Sequence, residues 1–200
     1  MSERPLRVLY IEPFNGGSHG AFTRQLTTKV PVDWTVLTLP GRHWRWRSVG
    51  SAVHFASAHR DTLEQSYDLL WAGSFLPLTD LLALVPGLAS IPRILYFHEN
   101  QLAYPIRKEF ARKSDHIYGF VQLVNSLAAS RCLFNSRWNL ESFLAAGKEL
   151  LGRMPDYVPV EWLDQIRAKA EVLPVLLDLP AVDHIEARSI SAEGPVILWN

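Results

Sequence analysis

The stretch RILYFHENQLAYP, residues 93–105, decides the fold. It opens as a continuous apolar run, RILYF, and turns abruptly polar at His98, Glu99, Asn100 and Gln101. An unbroken apolar run of this length fits a strand buried on both faces, as in parallel sheets. Working outward, comparable runs recur as RVLYIEPF (7–14), WTVLTL (34–39), YDLLWAGSF (67–75) and RCLFNS (131–136). Between them lie stretches with helical character: residues 19–30, 50–66 (with Val53, Ala56 and Leu63 on one side), 78–85 and 116–130. A further helix near residues 139–147 is expected to end on Gly147 as its C-cap. Buried strands alternating with helices define a doubly wound α/β architecture with a mainly parallel sheet.

Two more apolar runs follow, AEVLPVLLDL (170–179) and VILWN (196–200). Residues 180–194, with Pro180 and the SAEG segment, read as a linker, and VILWN as the opening strand of a second unit. The expected organisation is a first domain over residues 1–179, a linker over 180–194, and the start of another domain at 195–200.

The chain has 200 residues, 48% of them hydrophobic and 20% charged, which supports one sizeable core. Its formal charge is zero, so attraction to nucleic acid or membrane must come from a local patch. The single cysteine, Cys132, sits in the apolar RCLF run and reads as a small buried residue, which leaves no internal disulfide and no cysteine metal cluster. The N-terminal MSERPLRVLYIEPF is too polar and too short in its apolar run for a signal peptide or membrane span. A cytoplasmic protein is the expectation.

In doubly wound sheets ligands bind beyond the carboxyl ends of the strands. Here the first strand runs into Asn15, Gly16, Gly17, Ser18 and His19; the third ends in Gly73 and Ser74; the fourth in His98, Glu99 and Asn100; the fifth in Asn135 and Ser136. Four strand ends with small or polar groups point to a crevice for a polar ligand. GGSHG lacks the dinucleotide G-x-G-x-x-G spacing and the P-loop Gly-Lys-Ser/Thr, so it is either a plain strand–helix turn or a place where backbone amides meet phosphate. His98 is either a ligand-facing imidazole or one that hydrogen-bonds a carbonyl; if the strand stays extended, Asn100 shares its side and Glu99 faces the other. PGRHWRWRS (40–48) interleaves Arg42, Arg45 and Arg47 with Trp44 and Trp46. Such a segment suits RNA, through phosphate pairing and base stacking, or is simply tryptophan packed under a loop and covered by arginine. IRKEFARK (106–113) is a further basic stretch, readable as a solvated face.

LYIEPFNGGSHGAF, LPGRHWRWR, ILYFHENQLAYP and LFNSRWNLESFL, in this order, closely resemble the N-terminal domain of the tRNA-queuosine mannosyltransferases, and the likeness runs from about Leu9 to the closing VILWN. The resemblance implies a Rossmann-like half of a retaining glycosyltransferase of the two-domain GT-B type. It implies transfer of mannose from GDP-mannose to queuosine in the anticodon loop of tRNA-Asp. By position, Gly16, Gly17, Ser18 and His19 match the turn that approaches the donor. His98, with Glu99, matches the group that meets the transferred sugar. Asn100 and Gln101, together with the strand-end Ser74, Asn135 and Ser136, are then candidates for the acceptor, and Arg42, Trp44, Arg45, Trp46 and Arg47 for tRNA. No metal or other cofactor and no membrane partner is expected, and most of the donor site would lie outside this chain. An RNA- or nucleotide-binding module without chemistry, or a glycosyltransferase with a different acceptor, are the other readings.

Overall fold

A computed structural model describes residues 4–105 and 115–176. The basic stretch 106–113, the expected linker and the closing VILWN lie outside the described residues. Six parallel strands form one sheet: β1 (Arg7–Asn15), β2 (Asp33–Pro40), β3 (Leu69–Gly73), β4 (Arg93–Phe97), β5 (Arg131–Phe134) and β6 (Ala170–Val172), in the order β2-β1-β3-β4-β5-β6. The connecting helices are α1 (Gly17–Lys29), α2 (Trp44–Ala58), α3 (Arg60–Leu63), α4 (Leu78–Leu84), α5 (His116–Ala128), α6 (Arg137–Leu151) and α7 (Trp162–Arg167), with a 3-10 turn over Pro86–Ser90. This is the doubly wound, Rossmann-like arrangement expected from the apolar runs.

The runs are apolar throughout because both faces of the sheet are covered. Alternate residues of one strand enter different cores: Leu9, Ile11, Leu70, Ala72, Leu95 and Phe97 face one side. Val8, Tyr10, Trp71 and Tyr96 face the other, where Phe22 and Leu26 of α1 pack. The first side carries the larger core, with Phe55 of α2, Leu81 of α4, Leu123 of α5 and Phe143 of α6. Phe97 and Phe134 stack there at 4.4 Å between ring centroids, and Phe143 leans on both. Buried Asn125 of α5 donates to the Leu76 carbonyl at 2.8 Å and accepts from the Thr79 N–H, tying α5 to the start of α4.

Several boundaries differ from expectation. The second helix begins at Trp44 rather than near residue 50, so the Arg/Trp segment is largely helical, and it closes at Ala58 before the short α3. Val53 is 56% exposed, whereas Ala56 and Leu63 are buried, so the three do not share one buried side. Gly147 is not a C-cap: α6 continues to Leu151, and a β-carbon at Gly147 would lie 3.0 Å from Leu163 Cδ2. Glycine is there so that α7 can pack closely. The fourth strand stops at Phe97, so the simple alternation of His98, Glu99 and Asn100 does not hold.

Phe134 is fully buried between two aromatic partners. Phe134→Ala is expected to destabilise the domain by about 3–5 kcal/mol in urea denaturation, with little change in the denaturant slope.

Candidate active site at the strand ends

The chain order reverses between β1 and β3, since β2 lies on one side of β1 and β3 on the other. Helices leave on opposite faces at such a point and open a crevice at the carboxyl ends of the strands. β1 also changes register there, between Glu12 and Asn15, a bulge that re-aims its last residues. The expected turn follows. Gly17 has φ +53° and nothing within 4 Å of where its β-carbon would stand. Gly16 has a packing reason of its own, because a β-carbon there would stand 3.0 Å from the Gly41 Cα.

Three of the four expected strand ends meet in one buried cluster. His19, on the first turn of α1, stacks on His98 with ring centroids 3.9 Å apart. Its Nε2 lies 3.1 Å from Glu99 Oε2, and its Nδ1 lies 3.4 Å from Glu12 Oε1. The latter is long for a hydrogen bond and acts as a charge contact. Glu12 is completely buried. Its Oε1 accepts from the Phe14 N–H at 2.9 Å, while Oε2 has no hydrogen-bond partner. Gly73 of β3 makes room for it: a β-carbon there would stand 2.3 Å from Glu12 Oε2.

The two imidazoles have opposite electrostatic fates. Burial opposes charge on His19, but Glu12 and Glu99 outweigh that cost and raise its pKa from 6.5 to about 9. His98 is pushed down to about 3, first by burial and then by the His19 charge beside it. His98 is thus a neutral ring at neutral pH. Both its nitrogens are buried without a hydrogen-bond partner among the described residues. Glu12, His19 and His98 each offer a ligand atom within 4.8 Å of the others, a set chemically suited to a divalent ion. However, the histidine rings stack with only 27° between their planes, which aims their in-plane lone pairs nearly side by side instead of at one point. A positively charged His19 set between two carboxylates suits this geometry better.

The remaining candidates divide. Asn100, 2% exposed, donates to Asn139 Oδ1 at 2.8 Å and accepts from the Ala103 N–H at 2.7 Å, so it braces the loop after β4. Gln101 offers its N–H to Gln122 Oε1, and its own buried Oε1 is unpartnered. Ser74 is buried with an unpartnered hydroxyl. Asn135 donates to the His98 carbonyl, and Ser136 caps α6 by accepting from the Asn139 N–H. A cavity of about 290 Å³ runs along this edge, lined by His98, Glu99, Tyr104, Asn135, Ser136 and Trp138 among others. Sequence reasoning missed Glu12, whose signal is a carboxylate inside an otherwise apolar run. It also missed Tyr104 and Trp138, 52% and 69% exposed beside the cavity. A larger cavity, about 610 Å³ between α6 and α7, has none of these strand-end groups.

The Arg/Trp segment is not uniformly outward. Trp44 packs on Tyr118 and Phe75, Arg45 lies over the Trp44 ring at 4.5 Å, and its guanidinium grips both Asp115 oxygens at 2.9–3.0 Å. Arg47 is half-buried, whereas Arg42 and Trp46 are exposed. Cys132 is fully buried, and burial raises its thiol to about 11, as a core residue requires. Among the described residues no helix is long and apolar enough to cross a membrane.

The topology and the strand-end cluster define a Rossmann-like domain with a buried polar cluster at its switch point. Comparison with known proteins narrows this. Residues 7–177 match the family model for the tRNA-queuosine alpha-mannosyltransferase N-terminal domain. The chain is 40% identical over 171 residues to the Drosophila melanogaster tRNA-queuosine alpha-mannosyltransferase, covering 83% of this chain and 43% of that protein. The crystal structure of Arabidopsis thaliana UGT89C1 complexed with UDP is similar over 90% of this chain and 51% of its own, at 17% identity and a TM-score of 0.37. The chain belongs to the tRNA-queuosine alpha-mannosyltransferase N-terminal family, and spans less than half the length of the curated relative it matches.

The histidine pair makes stability depend on pH in two directions. His19 binds its proton more tightly when folded, so its contribution is complete below pH 6.5 and is lost as pH rises through about 9. His98 resists protonation when folded, so its contribution is present above pH 6.5 and is lost as pH falls toward about 3. Urea midpoints are expected to fall on both sides of pH 6.5; His19→Gln should flatten the alkaline limb and His98→Gln the acid limb.

Proposed function

We propose that this chain is the acceptor-side half of a retaining GT-B glycosyltransferase that moves mannose from GDP-mannose to queuosine in the anticodon loop of tRNA-Asp. The observation that carries the reading is His98: a buried, neutral imidazole with both nitrogens unpartnered, at the switch-point crevice of a chain in this family. Such a ring donates a hydrogen bond without adding a positive charge. It orients the sugar while positive charge develops at the anomeric carbon. The anomeric C–O bond to the diphosphate breaks, the acceptor oxygen forms the new bond on the same face, and the hydroxyl proton passes to the leaving diphosphate. The Gly17 and Ser18 backbone, exposed at the N-terminus of the 13-residue α1, suits the approach of that diphosphate. Trp138 and Tyr104 beside the cavity suit stacking of an unpaired base. The reaction as proposed uses no metal, helix dipoles and backbone amides taking the diphosphate charge.

With full-length protein, GDP-mannose and queuosine-containing tRNA-Asp, mannose incorporation is expected. His98→Ala should lower turnover by at least roughly 100-fold while leaving the circular dichroism spectrum intact. Transfer to a different acceptor only would remove the queuosine assignment, and near-normal turnover in the variant would remove the role of His98.

A second reading, an RNA-binding module without chemistry, draws on exposed Arg42 and Trp46 at the start of α2. It predicts salt-dependent tRNA binding by the 200-residue chain that drops in an Arg42→Ala/Trp46→Ala double variant, with no mannose incorporated by the full-length protein. Arg45→Ala is expected to weaken the Asp115 contact and lower stability instead, which thermal melting separates from a binding effect.

A further inference from the structure

The sugar-facing role proposed for His98 raises the question of what holds a buried ring with no hydrogen bond on either nitrogen. Among the described residues no polar side chain anchors it through a nitrogen. Its fixed neighbours are rings: His19 stacked at 3.9 Å, Phe22 edge-on at 5.2 Å and Tyr96 edge-on at 4.8 Å. Two of these are part of the apolar core. His19 is the exception, because it is itself held by carboxylates from two strand ends, Glu12 of β1 and Glu99 after β4. Phe14 and Phe75 pack on the remaining surfaces of His19 at 5.4 and 5.7 Å.

We propose that Glu12 and His19 are positioning residues that fix the ring of His98 and leave both its nitrogens available to the substrate. The inference rests on reading His98 as the group that meets the transferred sugar. Burying the Glu12 carboxylate is costly unless a cation stands beside it, and His19 lies 3.4 Å away. The ion pair in turn places a positive ring face-on to His98. Burial already opposes charge on His98, and a second proton there would also set two positive rings 3.9 Å apart, so His98 stays neutral and remains both donor and acceptor. The other titratable groups near the cluster do not offer an alternative. The phenols of Tyr10, which feels the Glu12 charge, and Tyr96, which meets His98 edge-on, both have raised pKa values and are uncharged at neutral pH. Gly73 completes the device: any side chain there would displace the Glu12 carboxylate.

The inference is testable on this chain without a sugar donor, by NMR titration of the imidazole nitrogens. Wild-type His19 is expected to hold its second proton to about pH 9, and His98 to stay neutral to about pH 3. Glu12→Gln should lower the His19 midpoint by at least one unit and raise that of His98. Gly73→Ala should do the same while every charged group remains. Midpoints near 6.5 for both wild-type rings, or an unmoved His98 midpoint in both folded variants, would overturn the coupling. So would uptake of one equivalent of added Zn²⁺ that shifts both rings, which would make the cluster a metal site. A transfer assay with full-length protein supplies the second arm. Glu12→Gln and His19→Gln should each lower kcat roughly tenfold or more with the KM for tRNA unchanged, and Glu12→Asp should recover part of the loss. Unchanged kcat in both would overturn the positioning role. If wild type transfers nothing while the titrations move as stated, the transfer reading fails and the His19–His98 coupling stands.

Discussion

Glu12 has no access to solvent, and a carboxylate in that position is tolerated only beside a cation and a hydrogen-bond donor. The site is organised around that requirement. The Phe14 N–H supplies the donor, which the bulge at the end of β1 turns back toward the side chain. His19 supplies the cation, which fixes where α1 begins, because the ring must reach Glu12 and Glu99 from the first turn. β3 contributes by having no side chain at Gly73. Each element end around the crevice is therefore constrained by one buried charge. The charge on His19 in turn adds to burial in keeping its stacked neighbour, His98, neutral.

The sheet order explains why these groups meet at all. β1 and β3 are neighbours although β2 intervenes in sequence, so the turn after β1 and the end of β3 face each other. β4 lies next to β3, which brings His98 within stacking distance of a residue 79 positions earlier. Asn135, at the end of β5, holds the His98 carbonyl, so the fifth strand end supports the site through the backbone. Polar groups at four strand ends thus converge because the strands are parallel and adjacent.

Much of this was readable from residue order because apolar runs on both sides of a parallel sheet leave little ambiguity. RVLYIEPF, RILYF and RCLF are strands in the structure, and the polar residues after the last two line a cavity. What escaped was long-range. Glu12 looks like the polar end of a strand until its neighbours, separated from it by 7, 61 and 86 positions, are placed around it. The start of α2 escaped because Pro40 and Gly41 announce a turn and the Arg/Trp alternation has no helical period. Tertiary contacts of Trp44 with Phe75 and Tyr118 decide it. Gly147 escaped for the same reason. Its neighbour Leu163 belongs to a helix of six residues, too short to announce itself by periodicity.

The structure also separates residues that the fold already accounts for from those it does not. Gly16 is explained by its contact with Gly41, Asn100 by its bonds to the loop and α6, Arg45 by Asp115, and Trp44 by packing. None of these needs a ligand to justify its identity. Gly17, with a left-handed backbone and open space around it, Trp138 and Trp46 with most of their surface in solvent, and the nitrogens of His98 are different. The fold gains little from the two exposed indoles and loses hydrogen-bonding energy at His98. Gly17, Trp138 and His98 lie along one end of the sheet, at or just after the ends of β1, β5 and β4. A cost that local packing does not offset is thus concentrated where a doubly wound sheet opens, the place at which such folds hold their ligands.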